Sequence, residues 1–195
     1  HEPYRRQRQM CIRDSFPIEL VEHQDCWVDW YREEASVLDG ILSPDLPHAI
    51  HHVGSTAIDG IWAKPIVDIL VEMPDDAAID LAKARLSAHS YLVMADRDLN
   101  KGYTPEGFAE RVFHIHLRVV GDNDELCFRD YLNAHPDVAR EYERLKLSLW
   151  REFEHDRDGY TAAKTPFVSK YTDLAKAELT PVSYTHLRAH ETSLH

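Results

Sequence analysis

Two hydrophobic periods alternate along this chain. Across residues 25–42 the apolar positions Trp27, Val28, Trp30, Tyr31, Ala35, Leu38, Ile41 and Leu42 recur at helical spacing. Asp25 is expected to cap this helix, and Gly40 with Ser43-Pro44 to close it. Residues 48–53 (HAIHHV) read as a short strand running into a Gly54-Ser55-Thr56 turn. The β-branched run PIVDILVEM at 65–73 predicts a buried central strand. Pro74-Asp75-Asp76 opens a second helix with Ile79, Leu81, Ala82 and Leu86 on its apolar stripe. Residues 91–95 suggest another strand, and 111–120 (RVFHIHLRVV) a second strong one. Asn100-Lys101-Gly102 and Pro105-Glu106-Gly107 read as turns. Beyond residues 121–124 the period becomes helical over 125–134, 136 to about 157, and 158–179. The order predicts an α/β half (16–121) and a helical half (122–181). No repeat or low-complexity linker separates them, so they are expected to pack as one domain.

Both ends read as foreign. The peptide Gln9-Met10-Cys11-Ile12-Arg13-Asp14 and the peptide Val182-Ser183-Tyr184-Thr185-His186-Leu187 can be encoded by opposite strands of one inverted DNA element. That element is similar to the transposon end used to attach sequencing adapters. Residues 1–15 and 182–195 are therefore read as adapter-derived, and their arginines and histidines are given no functional meaning.

The whole chain carries 22 Lys and Arg against 34 Asp and Glu. Without the ends the count is 17 against 31, which deepens the acidity to a net charge of about −14. Such a domain is a poor candidate for bulk nucleic acid or a membrane surface, since both attract basic faces. A nucleotide held in a local basic pocket is still compatible. Cys26 and Cys127 stand alone, without Cys-x-x-Cys spacing, and are read as ordinary thiols of a cytoplasmic protein. No apolar run has the length to span a bilayer.

The segment His52-Val53-Gly54-Ser55-Thr56-Ala57-Ile58-Asp59-Gly60-Ile61, followed by Ala63-Lys64-Pro65-Ile66-Val67-Asp68-Ile69, resembles the signature of the GrpB family. The family pattern has proline where Asp59 stands. Further matching blocks are His114-Ile115-His116-Leu117, Phe128-Arg129-Asp130-Tyr131-Leu132, Tyr142 with Leu145-Lys146, and Tyr160 with Ala163-Lys164. The family is similar to the nucleotidyltransferases, and also occurs fused to some dephospho-CoA kinases. The resemblance implies an α/β (α+β) fold: a nucleotidyltransferase-like mixed sheet with flanking helices, then the helical half. It implies a nucleotide or phosphorylated small molecule as ligand, with magnesium or manganese.

The residues give that expectation a physical form. A Gly-Ser turn lets backbone N–H groups approach a phosphate, so Gly54, Ser55 and Thr56 are candidate phosphate residues, with Lys64 and Arg118 as cations. Asp68, a carboxylate in an otherwise apolar strand, is a candidate metal ligand. An active nucleotidyltransferase strand usually carries a second carboxylate two residues on, where this chain has Leu70. Glu72 shares the face but lies about 13 Å along the strand. Asp68 with His114 and His116 is therefore the candidate metal and catalytic set, with His52 behind it.

Each feature has a plainer account. Gly54-Ser55 can be an ordinary capped turn, Asp68 can pair with Lys64 or Arg118, and a His-x-His pair is more often a satisfied polar pair than a ligand set. Arg118, Arg129, Lys146, Tyr160 and Lys164 together could line a groove between the halves, though each singly suits a surface charge or interhelix contact. Three functions remain open: metal-dependent nucleotidyl transfer, binding of a nucleotide or coenzyme-A-like ligand without turnover, and a folding-accessory role. No protein partner is indicated.

Overall fold

The computed structural model describes residues 17–191 apart from Pro44, with side chains described to residue 179. The segment 1–15 and residues 192–195, read above as adapter-derived, lie outside the described residues. Helix α1 (Cys26–Leu42) leads to strand β1 (Ala49–Val53), a short 3-10 turn (Ser55–Ala57) and strand β2 (Val67–Met73). Helix α2 (Asp76–Ser87) then precedes β3 (Leu92–Val93), β4 (Asp98–Thr104) and β5 (Gly107–Val119). Helices α3 (Asp124–Ala134), α4 (Pro136–Glu152) and α5 (Arg157–Glu191) complete the chain.

The five strands form one mixed sheet in the order β1-β2-β5-β4-β3. Only β2 and β5 run parallel. Because strand side chains alternate, this register sorts the sheet into two faces. On the back face Val67, Ile69, Val71 and Met73 of β2 lie beside Phe113, Ile115 and Leu117 of β5, and all are buried. They pack with Trp27, Leu38 and Leu42 of α1 and Ile79, Ala82 and Leu86 of α2. On the front face the register sets Asp68 beside His114, Leu70 beside His116, and Glu72 beside Arg118.

The helical half covers that front face. Its own core joins Phe128, Leu132, Val138, Ala139, Tyr142 and Tyr171 to Ile58 and Ile61 of the β1–β2 connection. Polar clamps hold the same connection: Asn133 Nδ2 donates to Ala57 O at 3.0 Å, Arg140 to Gly60 O at 2.8 Å, and Trp62 N–H to Glu143 at 2.9 Å. The helical half is thus fastened to the β1–β2 connection by both apolar and polar contacts.

Three local expectations change. Asp25 precedes α1 without a side-chain cap bond. Asn100-Lys101-Gly102 is not a turn but the middle of β4. Gly102 has φ +90°, where a Cβ would collide with the Arg111 carbonyl, and the β4–β5 register shifts there. Strand β5 starts at Gly107, just after the Pro105-Glu106 hairpin turn.

Candidate functional site

The site is built where β1 leaves the sheet. Gly54 sits at φ +71°, a left-handed conformation open to glycine and strained for other residues. A Cβ there would overlap the Asp68 carboxylate. The turn and the carboxylate are therefore in direct apposition, and glycine is what allows it. Ser55 then opens the 3-10 turn and hydrogen-bonds the Tyr142 hydroxyl of α4.

The polar strip on the front face is continuous. Asp68 Oδ1 lies 3.0 Å from His116 Nε2 and 3.4 Å from His114 Nδ1. His116 Nδ1 reaches Asp98 of β4 at 2.9 Å, and Arg118 reaches the same carboxylate at 3.2 Å. His114 Nε2 pairs with the Tyr103 hydroxyl at 2.8 Å. Burial would raise the Asp68 carboxyl, but the hydrogen bonds from His114 and His116 outweigh it and hold it well below the usual carboxylate range. Burial would lower His116, yet the carboxylates on both sides push it up to about 9, so it is an imidazolium at neutral pH.

Two connected cavities lie over this strip. One, about 230 Å³, is lined by Ser55, Lys64, Asp68, Lys146, Tyr160 and Lys164 among others. The other, about 490 Å³, is bounded by Gly54, Ser55, Asp68, His116, Phe128, Tyr142 and Lys164 among others. Ser55, Asp68, Thr161 and Lys164 line both.

The smaller chamber is cationic. Lys146 is only 2% exposed and donates to the Trp62 carbonyl. Burial, reinforced by Lys164, brings its ammonium down to about 7. Burial likewise lowers Lys164 to about 8. The Nζ atoms of Lys64 and Lys164 stand 4.7 and 4.4 Å from the centre of the Tyr160 ring. The Tyr160 hydroxyl is buried without a hydrogen-bond partner among the described residues.

Among the residues predicted from sequence, Gly54, Ser55, Lys64, Asp68, His114 and His116 come together here. Lys146, Tyr160 and Lys164 join them, lining the groove between the halves. Thr56 is buried and bonds His52 Nε2 at 2.9 Å. His52 alternates onto the back face and stacks on Tyr31 with ring centres 4.8 Å apart. It braces the turn from behind, and burial lowers it to about 4. Arg118 is committed to Asp98 and Glu125 and lies outside the linings of both chambers. Arg129 holds the turn's entry by donating to the His52 carbonyl at 2.6 Å. Asp98 is the carboxylate of this strip that the sequence reading missed, because its strand carries the Asn-Lys-Gly turn signal.

Magnesium and manganese prefer sets of oxygen ligands. Leu70 occupies the position of the second strand carboxylate and is fully buried. Both imidazoles contact Asp68 directly instead of converging with it on a common centre. Among the described residues no three His, Cys, Asp or Glu side chains are gathered to hold a metal ion. The residues present do not fit a two-ion centre.

The family model described as "GrpB protein" matches residues 17–174. The chain belongs to the GrpB family. It is 35% identical to the "Glutamate-rich protein GrpB" of Alkalihalophilus pseudofirmus, covering 77% of this chain and 91% of that one. It is 30% identical to the "UPF0157 protein YqkA" of Bacillus subtilis over 82% of this chain, but spans only 47% of that relative's length. The solved GrpB protein of Enterococcus faecalis superposes with a TM-score of 0.70 at 27% identity, covering 83% of this chain and 99% of that one. A chain of the GLD-2/RNP-8 complex superposes at a TM-score of 0.50 and 13% identity, covering 83% and 64%. That likeness bears on the fold alone, which is nucleotidyltransferase-like. No helix among the described residues is long and apolar enough to cross a membrane.

Proposed function

We propose that this GrpB-family domain binds a nucleotide or another phosphorylated small molecule in the cleft between the sheet and the helical half. One juxtaposition carries the reading. The Gly54–Ser55 turn abuts Asp68 at the edge of a chamber that also receives Lys64, Lys146 and Lys164. Three lysines around a small cavity, Lys146 buried and the other two half-buried, suit an anion better than a neutral ligand, because an anion restores the interactions that burial removed. The adjoining chamber has the size for the organic part of such a ligand, with Val53, Phe128, Tyr142 and Val168 as apolar walls and Asp124, Glu125 and Asp173 as acceptors for its polar groups.

Binding without turnover is the form of this function that the residues support best. Leu70 removes the second strand carboxylate, and an imidazolium lies between Asp68 and Asp98. Nucleotidyl transfer is the alternative, favoured by the approach of Asp68 to the Gly54–Ser55 turn.

Calorimetric titration with nucleoside mono-, di- and triphosphates and with coenzyme A, with and without magnesium or manganese, tests the proposal. Saturable binding that is lost in Lys164→Glu is expected. No binding to any of these ligands would overturn it. Metal-dependent binding abolished by Asp68→Asn, with pyrophosphate released, would instead establish transfer.

A further inference from the structure

We propose that the lysine chamber selects ligands with two or more linked phosphates, holds them without a divalent cation, and takes up a proton at Lys146 as they bind. This rests on the function proposed above and names its ligand class.

The argument starts from charge balance. Lys64, Lys146 and Lys164 approach one chamber from three segments: the β1–β2 connection, α4 and α5. Neither Lys146 nor Lys164 makes an ion pair among the described residues; Asp68, the carboxylate lining the chamber, is hydrogen-bonded to His116 and His114. The buried Lys146 ammonium normally requires an anionic partner, and with the half-buried Lys164 and Lys64 on the same chamber the positive charge is spread over three separate positions. Linked phosphates distribute several charges over a chain of oxygens. They could meet Ser55 at one end and the ammonium groups at the other.

The chamber volume, about 230 Å³, is below the range usual for whole drug-sized ligands. It therefore suits a polyphosphate tail, with the remainder of the ligand in the larger adjoining chamber. The fully buried Tyr160 gives this chamber a rigid wall, its ring facing the Lys64 and Lys164 ammonium groups at 4.7 and 4.4 Å.

The lysines also supply the positive charge that metal ions would otherwise bring. Leu70 stands where a second metal-binding carboxylate belongs, so the chamber exchanges a metal-based arrangement for an ammonium-based one. Proton uptake follows from the surroundings of Lys146. Lys164 and Lys64 face it as like charges, Glu143 on its own helix as an opposite one, and the rings of Tyr142 and Tyr160 complete the setting. With its ammonium near 7 in the free protein, part of the population is neutral at physiological pH. An adjacent polyanion favours the charged form and draws a proton from solvent.

The test is calorimetry of the whole chain with inorganic pyrophosphate and with inorganic phosphate, in EDTA at about pH 7.5, in two buffers of different ionisation enthalpy. Pyrophosphate is expected to bind at least ~10-fold more tightly than phosphate. Its heat should vary with the buffer in the sense of proton uptake. Lys146→Met should remove the buffer dependence and weaken pyrophosphate by roughly 10-fold. Lys164→Gln is the second variant should Lys146→Met fail to fold, and should weaken pyrophosphate similarly. Equal affinity for the two anions, a requirement for magnesium, or heats indifferent to buffer would each overturn the inference. Nucleotides that bind regardless of their phosphate number would sink it while leaving the parent function standing. Failure of every nucleotide to bind would remove both.

Discussion

Two sets of buried charge lie on opposite faces of one sheet, and they are balanced differently. Behind the sheet, Glu34 of α1 is buried against Lys101 of β4, with both carboxylate oxygens 2.8 Å from the ammonium. The Tyr91 hydroxyl donates to the same carboxylate. That set is electrically closed: each member has its partner, with Glu34 and Tyr91 buried and the partly exposed Lys101 reaching them from β4. On the front face Lys146 is equally withdrawn from water and faces Lys164 and Lys64, with only Glu143 as an opposite charge. The half-buried Lys164 faces Asp68, and both lysines line a cavity. A closed cluster fastens the fold, whereas one with unbalanced charge and open space implies something that arrives later. Burial does not distinguish the two; neutralisation does.

The comparison predicts opposite stability effects from removing a charge on each face. Glu34→Gln leaves the partly exposed Lys101 ammonium without its counter-charge and should cost about 2–4 kcal/mol, measured by urea denaturation. Ligand affinity should be unchanged, since the residue lies behind the sheet. At the front, Gly54→Ala forces a Cβ against Asp68 in a left-handed conformation. It should cost roughly 2–4 kcal/mol and abolish binding in the same titrations. Lys146→Met is expected to do the reverse of Glu34→Gln. Removing an uncompensated buried ammonium should stabilise the free protein by about 1–3 kcal/mol while weakening the polyphosphate complex. A large loss of stability in that variant would mean the chamber is as closed as the Glu34 pair.

The smallest expected effect is one of pH. His116 is raised to about 9 in the folded protein, above its unfolded value of about 6.5. Its stabilisation is fully present below about pH 6.5 and is lost as pH rises through about 9. Lys146 and Lys164 have the opposite sign. Each is lowered in the fold, so each costs stability as pH falls from the free-lysine range toward about 7 and 8. Over about pH 6.5–9 these contributions oppose one another in the parent, so urea midpoints should fall with pH relative to the parent in Lys146→Met and rise relative to it in His116→Gln. Equal slopes in all three would show that these groups do not titrate differently in the folded state.

Much of the front face was legible in the sequence because its signals are local. PIVDILVEM announces a buried strand by its β-branched residues, and the single acid within it marks the exception. Gly54-Ser55 announces the turn, and the register then sets Asp68 beside His114 without further information. Asp98 was hidden because β4 contains Gly102, whose φ and close approach to the Arg111 carbonyl mimic a turn signal in a strand. The family pattern has proline at position 59, yet here the Asp59 N–H donates to Asn133 Oδ1 at 2.9 Å, a bond proline could not make.

Lys146 carried a readable clue. Val138, Tyr142 and Lys146 are spaced four residues apart along α4, so the lysine falls on the stripe that packs inward. What the sequence could not reveal was its company. Only the approach of α4, α5 and the β1–β2 connection sets Lys146, Lys164 and Lys64 around one space.

A crystal structure of the whole chain grown with pyrophosphate and EDTA tests the central claim most directly. The account predicts the anion within hydrogen-bonding reach of Lys146, Lys164 and Ser55. A pyrophosphate found elsewhere on the protein, or a chamber closed by the side chains of those same lysines, would contradict it.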